Sequence, residues 1–213
     1  MKRYGWKMMV KFGRISLKSA KIMPSVLLAA GMLLITSCNG SQGESSGSTV
    51  SIQKDGTILS HIEESFAQDY YDLEELQQAI LVEAADFNKA AGSDKISVEK
   101  IEADEGVVTV RMTYREPLDY AAYNHVLFFA GMPADVPEEY ELNVVLSGTK
   151  DNSQTVGKSD ILSMEGYKLL VMNIQEPVYL DGRAEYVSDN VTVSDNRKCA
   201  QVEGEGTGYV LYK

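Results

Sequence analysis

Charge divides this chain in two. Residues 1–37 carry seven basic side chains (Lys2, Arg3, Lys7, Lys11, Arg14, Lys18 and Lys21) and no acidic one, whereas the 176 residues that follow carry 13 basic and 31 acidic groups. Directly behind the basic stretch, residues 22–37 form a run of sixteen uncharged positions centred on residues 26–34. A basic segment leading into a short apolar one has the layout of a secretory signal peptide. A membrane-spanning helix needs about 20 apolar residues; this run is shorter and contains Pro24. The part expected to fold therefore begins after residue 37, and its net charge is -18. Phosphate contacts need a density of Lys and Arg that such a domain lacks, which argues against nucleic acid and anionic lipid surfaces as partners. Cationic partners, peptides or metal ions suit it better.

The apolar run ends Leu34-Ile35-Thr36-Ser37-Cys38, which resembles the bacterial lipobox, with an aliphatic residue three before the cysteine and a small one just before it. The resemblance implies that the Cys38 sulfur receives a diacylglyceryl group and that the chain is then cut after Ser37. Two or more acyl chains on one residue anchor a protein stably. The following Asn39-Gly40-Ser41-Gln42-Gly43-Glu44-Ser45-Ser46-Gly47-Ser48-Thr49 reads as a flexible tether with a root-mean-square reach of roughly 17–20 Å. The expected organisation is a signal peptide over 1–37, a lipidated Cys38 with its linker over 38–49, and an extracytoplasmic domain over 50–213. Cys199 is the only other cysteine. With Cys38 acylated, no internal disulfide is expected, and Cys199 reads as a small buried side chain.

Within the domain, residues 50–66 alternate apolar and polar around Lys54-Asp55-Gly56 and read as a β-hairpin. Asp72 with Glu75 three residues on forms a helix-start signal, Leu73, Leu76, Ile80, Ala84 and Phe87 recur at helical spacing, and Gly92 ends the pattern. This predicts one main helix over about 72–91, packed on a sheet. Strands are predicted at 96–101, 107–114, 142–146, 167–173, 178–180, 183–187, 191–193 and 209–212. Short helical segments are expected at 116–124, opened by Pro117, and at 133–140; the apolar run 126–131 is either a strand or a buried helix. Asp181-Gly182 and Asp189-Asn190 mark turns. The fold class is α+β, a single domain of mostly antiparallel strands with one main helix.

Several segments resemble an uncharacterised group of lipoproteins from Gram-positive anaerobic bacteria. They are Lys54-Asp55-Gly56-Thr57-Ile58, Asp69-Tyr70-Tyr71-Asp72-Leu73-Glu74-Glu75-Leu76, Asp119-Tyr120-Ala121-Ala122-Tyr123-Asn124, Glu185-Tyr186-Val187-Ser188-Asp189-Asn190-Val191 and Gly208-Tyr209-Val210-Leu211-Tyr212-Lys213. The likeness implies location and a single domain, and carries no catalytic residues.

Chemical motifs are sparse. His61 and His125 are the only histidines, and no HExxH, CxxC or paired-His spacing for zinc occurs. Gly43-Glu44-Ser45-Ser46-Gly47 spells a nucleophile elbow but lies in the tether, where no strand–turn–helix presents the serine. Gly157-Lys158-Ser159 lacks the first glycine of a phosphate loop, because position 152 is Asn152. The stretch from Asp151 has Val156 and Leu162 where a calcium loop needs Gly and Glu, so only a cation site built from scattered carboxylates stays open. No cofactor is expected and no catalytic residue is assigned. Tyrosine suits sugar stacking and protein interfaces, and the segment holding Tyr120, Tyr123 and Phe128 is the expected ligand-facing element. The leading expectation is a non-catalytic lipoprotein, held to the membrane at Cys38, that binds a protein or envelope ligand. The alternatives are a hydrolase using carboxylates such as Glu63, Glu64 or Asp69, and a solute-binding lipoprotein.

Overall fold

In the computed structural model, residues 47–213 are described, together with a short antiparallel ladder between Val10–Lys11 (β1) and Arg14–Ile15 (β2). The apolar run 22–37, Cys38 and the tether as far as Ser46 lie outside the described residues. The last three tether positions belong to the fold. The Gly47 N–H donates to Glu63 Oε2 at 2.7 Å, Ser48 Oγ accepts from the Glu63 N–H at 3.0 Å, and Thr49 opens the first strand of the domain.

The predicted hairpin is Thr49–Ile52 (β3) and Ile58–Ser65 (β4), with Ile52 opposite Ile58. Its turn is set by Asp55, whose Oδ1 accepts from the Thr57 N–H at 3.1 Å and the Thr57 hydroxyl at 2.7 Å. Ile96–Asp104 (β5) and Val107–Tyr114 (β6) form a second hairpin. Glu105 and Gly106 both have positive φ (47° and 79°), the two-residue geometry that matches strand twist. β6 pairs with β4 along eight residues, from Ile58 opposite Tyr114 to Ser65 opposite Val107. Between them the main helix Leu73–Ala91 (α1) runs as predicted. Asp72 Oδ1 accepts from the Glu75 N–H at 3.1 Å, and Gly92 takes the left-handed conformation at the C-terminus. Asn88 ties the end of α1 to β5: its Oδ1 accepts from the Lys95 and Ile96 N–H groups and its Nδ2 donates to the Ile96 carbonyl.

The remaining elements are Pro117–Asn124 (α2), Phe128–Gly131 (β7), Leu146–Gly148 (β8), Thr155–Val156 (β9), Lys158–Ser163 (α3), Lys168–Met172 (β10), Val178–Tyr179 (β11), Ala184–Val187 (β12), Val191–Val193 (β13), Cys199–Val202 (β14) and Gly208–Tyr212 (β15). They complete two sheets, one of seven strands in the order β13-β14-β11-β3-β4-β6-β5 and one of six in the order β7-β10-β15-β12-β8-β9. All pairings are antiparallel except β11 with β3, where Val178 lies beside Val50 and Tyr179 beside Ser51. The result is the expected single α+β domain of mostly antiparallel strands. The run at 126–131 resolves as strand β7. Strand 142–146 is corrected: Leu142 is buried without regular pairing, and β8 begins only at Leu146. The helical segment at 133–140 shrinks to a 3-10 turn at Pro133–Asp135. β9, β14 and α3 were not predicted.

The six-stranded sheet is the middle layer. Leu170, Met172, Val210 and Tyr212 face the seven-stranded sheet in the main core, which also takes Leu76 and Ala84 of α1 and Tyr120 and Ala121 of α2. Leu169, Val171 and Leu211, on the opposite side, pack in a second core with Leu142, Leu146 and Ile161 of α3. Leu169 and Leu170 are both fully buried although their side chains leave β10 in opposite directions. We therefore expect Leu169→Ala and Leu170→Ala each to destabilise the domain by about 2–5 kcal/mol in denaturant unfolding. One large and one small value would show that this sheet has a wet face.

Candidate functional site

The middle sheet covers only the inner face of the seven-stranded one, where β4 and β6 place Ile58, Ser60, Val108, Val110, Met112 and Tyr114, all buried. The outer face carries the alternate positions. Register puts Cys199, Tyr179, Ser51, Leu59 and Thr113 in one row across β14, β11, β3, β4 and β6. At the usual strand spacing this row is about 19 Å long. A groove of about 1000 Å³ lies over it, bordered by the β3–β4 turn with Lys54 and Asp55 and by the turn holding Asn196 and Lys198.

The second turn is fixed from within. Asn196 Oδ1 accepts from the Ser194 hydroxyl (2.8 Å) and the Lys198 N–H (3.0 Å), while Ser194 Oγ accepts from the Cys199 N–H (3.1 Å). Arg197, at φ 59°, reaches back to the Ala184 carbonyl and to Glu185 Oε2, both at 3.0 Å. Each carboxylate along the groove already has a partner: Asp55 holds Thr57, Glu99 accepts from the Thr113 hydroxyl, and Asp181 pairs with Lys168. Hydrogen bonds from Thr57 hold the Asp55 carboxyl below its ordinary range. Among the described residues, neither Lys54 nor Lys198 has a carboxylate within ion-pair distance.

The next row on the same face is Thr49, His61, Arg111 and Lys100. Arg111 Nε donates to His61 Nδ1 at 3.4 Å, so Nε2–H is left to donate to Glu63 Oε1 at 3.0 Å. That bond, with the Gly47 N–H, holds the Glu63 carboxyl below its ordinary range. No serine, threonine or cysteine side chain is hydrogen-bonded to either histidine among the described residues. The arrangement is thus an ordered polar chain with no nucleophile attached. His125, at φ 54°, caps the C-terminus of α2.

Tyr120 and Phe128, expected to face a ligand, lie in the main core with no exposure. Tyr120 packs edge-on against Tyr114 and Phe128, with ring centroids 5.0 and 4.8 Å apart, and Tyr123 meets Phe87 at 5.6 Å. This aromatic cluster fills the space between α1, α2, β6 and β7, so the expected ligand-facing element is corrected to a core element. Burial pushes the Tyr123 hydroxyl far above its ordinary range. Asp69 sits in an exposed turn. Glu64 faces the inner side, where burial first and the charge of Glu176 second push its carboxyl upward. Glu176 lines a second cleft of about 640 Å³ with Glu205, Gln175 and Gln201. No group of three or more His, Cys, Asp or Glu side chains placed to hold a metal ion exists among the described residues. Gly157-Lys158-Ser159 opens α3, where the Gly157 N–H donates to Asp160 Oδ2 at 2.9 Å.

Cys199 is buried, as expected, but is disulfide-bonded, with its partner outside the described residues. The disulfide departs from the expectation of a domain without one. The groove went unread in the sequence because β14 and its turn were missed, although Ser194-Asp195-Asn196 is a turn signal. Comparison with protein families, with curated proteins and with solved structures finds no match to this chain.

Opposite shifts at adjacent carboxylates make a paired test. Glu63 is shifted down, so its stabilisation is present above the unfolded carboxylate pKa and is lost as pH falls through the folded value. Glu64 is shifted up, so its ionisation destabilises the fold, and the penalty disappears at acid pH where the group is protonated. Glu63→Gln should therefore lower the thermal midpoint at pH 7, and Glu64→Gln should raise it. Both differences should fade toward pH 3 in parallel melts; a shared sign at pH 7 would contradict the assignment.

Proposed function

We propose that this chain is a lipid-anchored, extracytoplasmic binding protein, attached to the membrane through Cys38, that holds its ligand in the groove across the outer face of the seven-stranded sheet. The observation that carries the reading is the groove itself, a trough of about 1000 Å³, lined by both polar and apolar side chains, on the sheet face that the middle layer leaves uncovered. Its walls come from backbone-fixed turns, which lowers the ordering cost of binding. The anchor rests on the basic segment, the apolar run, the lipobox-like end at Cys38 and the tether. The hydrolase alternative has one favourable observation, the raised Glu64 carboxyl beside Glu176. Glu63 is engaged by His61 and Gly47, which disfavours it as a free acid or base.

Two measurements test the proposal. The chain has two cysteines and one sulfur cannot hold both a thioether and a disulfide, so the lipid-anchored form is one without the disulfide; it shows a diacylglyceryl mass increase and one thiol when unfolded without reductant. A membrane-extracted chain without the added mass would refute the anchor. Thermal unfolding of the full chain against cell-wall fragments, oligosaccharides, peptides and cations tests the groove. A ligand at about 100 times its dissociation constant stabilises by roughly 2.7 kcal/mol, a rise of roughly 5–10 °C for a domain of this size. The rise should vanish in Ser51→Trp, which fills the floor of the trough. A shift that survives this variant would place the ligand elsewhere.

A further inference from the structure

The floor of the groove is a sheet face and not a sheet edge. β11, β3, β4 and β6 each have a strand paired on both sides, so their main-chain donors and acceptors are spent in the ladders. An extended peptide is captured by adding a strand to an open edge, and that mode has no purchase here. Recognition is left to side chains. Along the row, the half-buried Tyr179 ring, the Ser51 hydroxyl, the Leu59 side chain and the Thr113 hydroxyl follow one another, so apolar and hydroxyl-bearing positions alternate from strand to strand. That alternation complements sugar rings, which have apolar C–H faces and a belt of hydroxyls.

The charges of the lining cancel. Asp55 and Glu99 accept hydrogen bonds only from neutral threonine groups and keep their charge, which Lys54 and Lys198 offset, while Asp181 is paired with Lys168. An anion meets Asp55 and Glu99 together with the field of an acidic domain, and a cation meets Lys54 and Lys198. For an uncharged polyol the same groups are strong partners, because ammonium groups donate to hydroxyl oxygens and carboxylates accept from hydroxyls. Neutral partners lie among them. The Thr113 hydroxyl donates to Glu99, so its oxygen is turned to accept from a ligand. The Ser51 hydroxyl and the Gln53 amide have no hydrogen-bond partner among the described residues.

Resting on the binding-protein reading above, we propose that the groove takes a short uncharged glycan, its rings laid along Tyr179, Ser51, Leu59 and Thr113. Calorimetric titration of the full chain tests this with two matched pairs of trimers, N-acetylglucosamine against glucosamine and galactose against galacturonic acid. At least one uncharged trimer should bind saturably, and its charged counterpart about tenfold more weakly. The affinity of the uncharged trimer should hold as salt is raised, because it brings no net charge to screen. Tyr179→Ala should weaken binding, while Tyr179→Phe, which keeps the ring, should bind as the parent does; this separates stacking from loss of fold. Thr113→Val, which removes the hydroxyl at nearly constant shape, should weaken binding roughly 2- to 10-fold with the thermal midpoint unchanged.

Tighter binding of the charged member of either pair would overturn the charge balance and the proposal with it. Binding of neither uncharged trimer would overturn the glycan assignment. If a different compound in the thermal panel still stabilises the parent and fails with Ser51→Trp, the binding-protein reading survives that loss. If nothing does, both fall together.

Discussion

A strand whose consecutive residues are all buried must have protein on both sides, and β10 is such a strand. Leu169, Leu170, Val171 and Met172 are fully buried, and β15 beside it repeats the demand with Val210, Leu211 and Tyr212. Sheets of this kind are interior sheets. The six-stranded sheet is therefore the middle of the molecule, and everything else is arranged to cover it. The seven-stranded sheet, α1 and α2 take one side, and the irregular segment around Leu142 with α3 takes the other. Because the middle sheet needs only the inner face of its larger neighbour, the outer face of that neighbour is left for water, polar side chains and a groove.

That outer face is polar without being loose. Glu63 shows how. Its backbone and side chain together receive or donate the hydrogen bonds that hold Gly47, Ser48 and His61, so the point where the chain enters the fold is fixed by one residue. On the buried side, the Tyr212 hydroxyl lies beside Asp181, and burial together with that charge pushes it far above the usual phenol range. It stays neutral at any physiological pH. The same Asp181 reaches the groove and pairs with Lys168, so a single side chain links the floor of the trough to the middle sheet.

Much of the architecture was legible because the signals were local. The helix at 73–91 announces both ends through Asp72 and Gly92, and the hairpins at 49–65 and 96–114 pair strands close in sequence around turns with their own chemistry. β14 and β9 pair with strands near in sequence, β13 and β8, but alternation over two to four residues is too weak a sign. Residues 142–145 look like a strand because Leu142 is buried in the second core and Val144 packs against it, yet that packing comes without pairing. Tyr120 and Phe128 misled for a similar reason: a Tyr-rich helix beside an apolar run looks like a surface patch until Tyr114, at the end of the preceding strand, and Phe87, on the main helix, close over it. The groove depends on the register of five strands, including the one parallel junction of β11 with β3, and no local pattern encodes that.

The position of β3 has a mechanical consequence. The chain reaches the domain at Thr49 and passes at once into the interior of the larger sheet, flanked by β4 on one side and β11 on the other. Tension arriving from the N-terminal direction is directed along this strand, against two ladders together with the Val50 N–H bond to the Pro177 carbonyl. Such a load shears many hydrogen bonds at once, whereas a strand at the sheet's edge would peel away rung by rung. The chain thus enters the fold through an interior strand held on both sides.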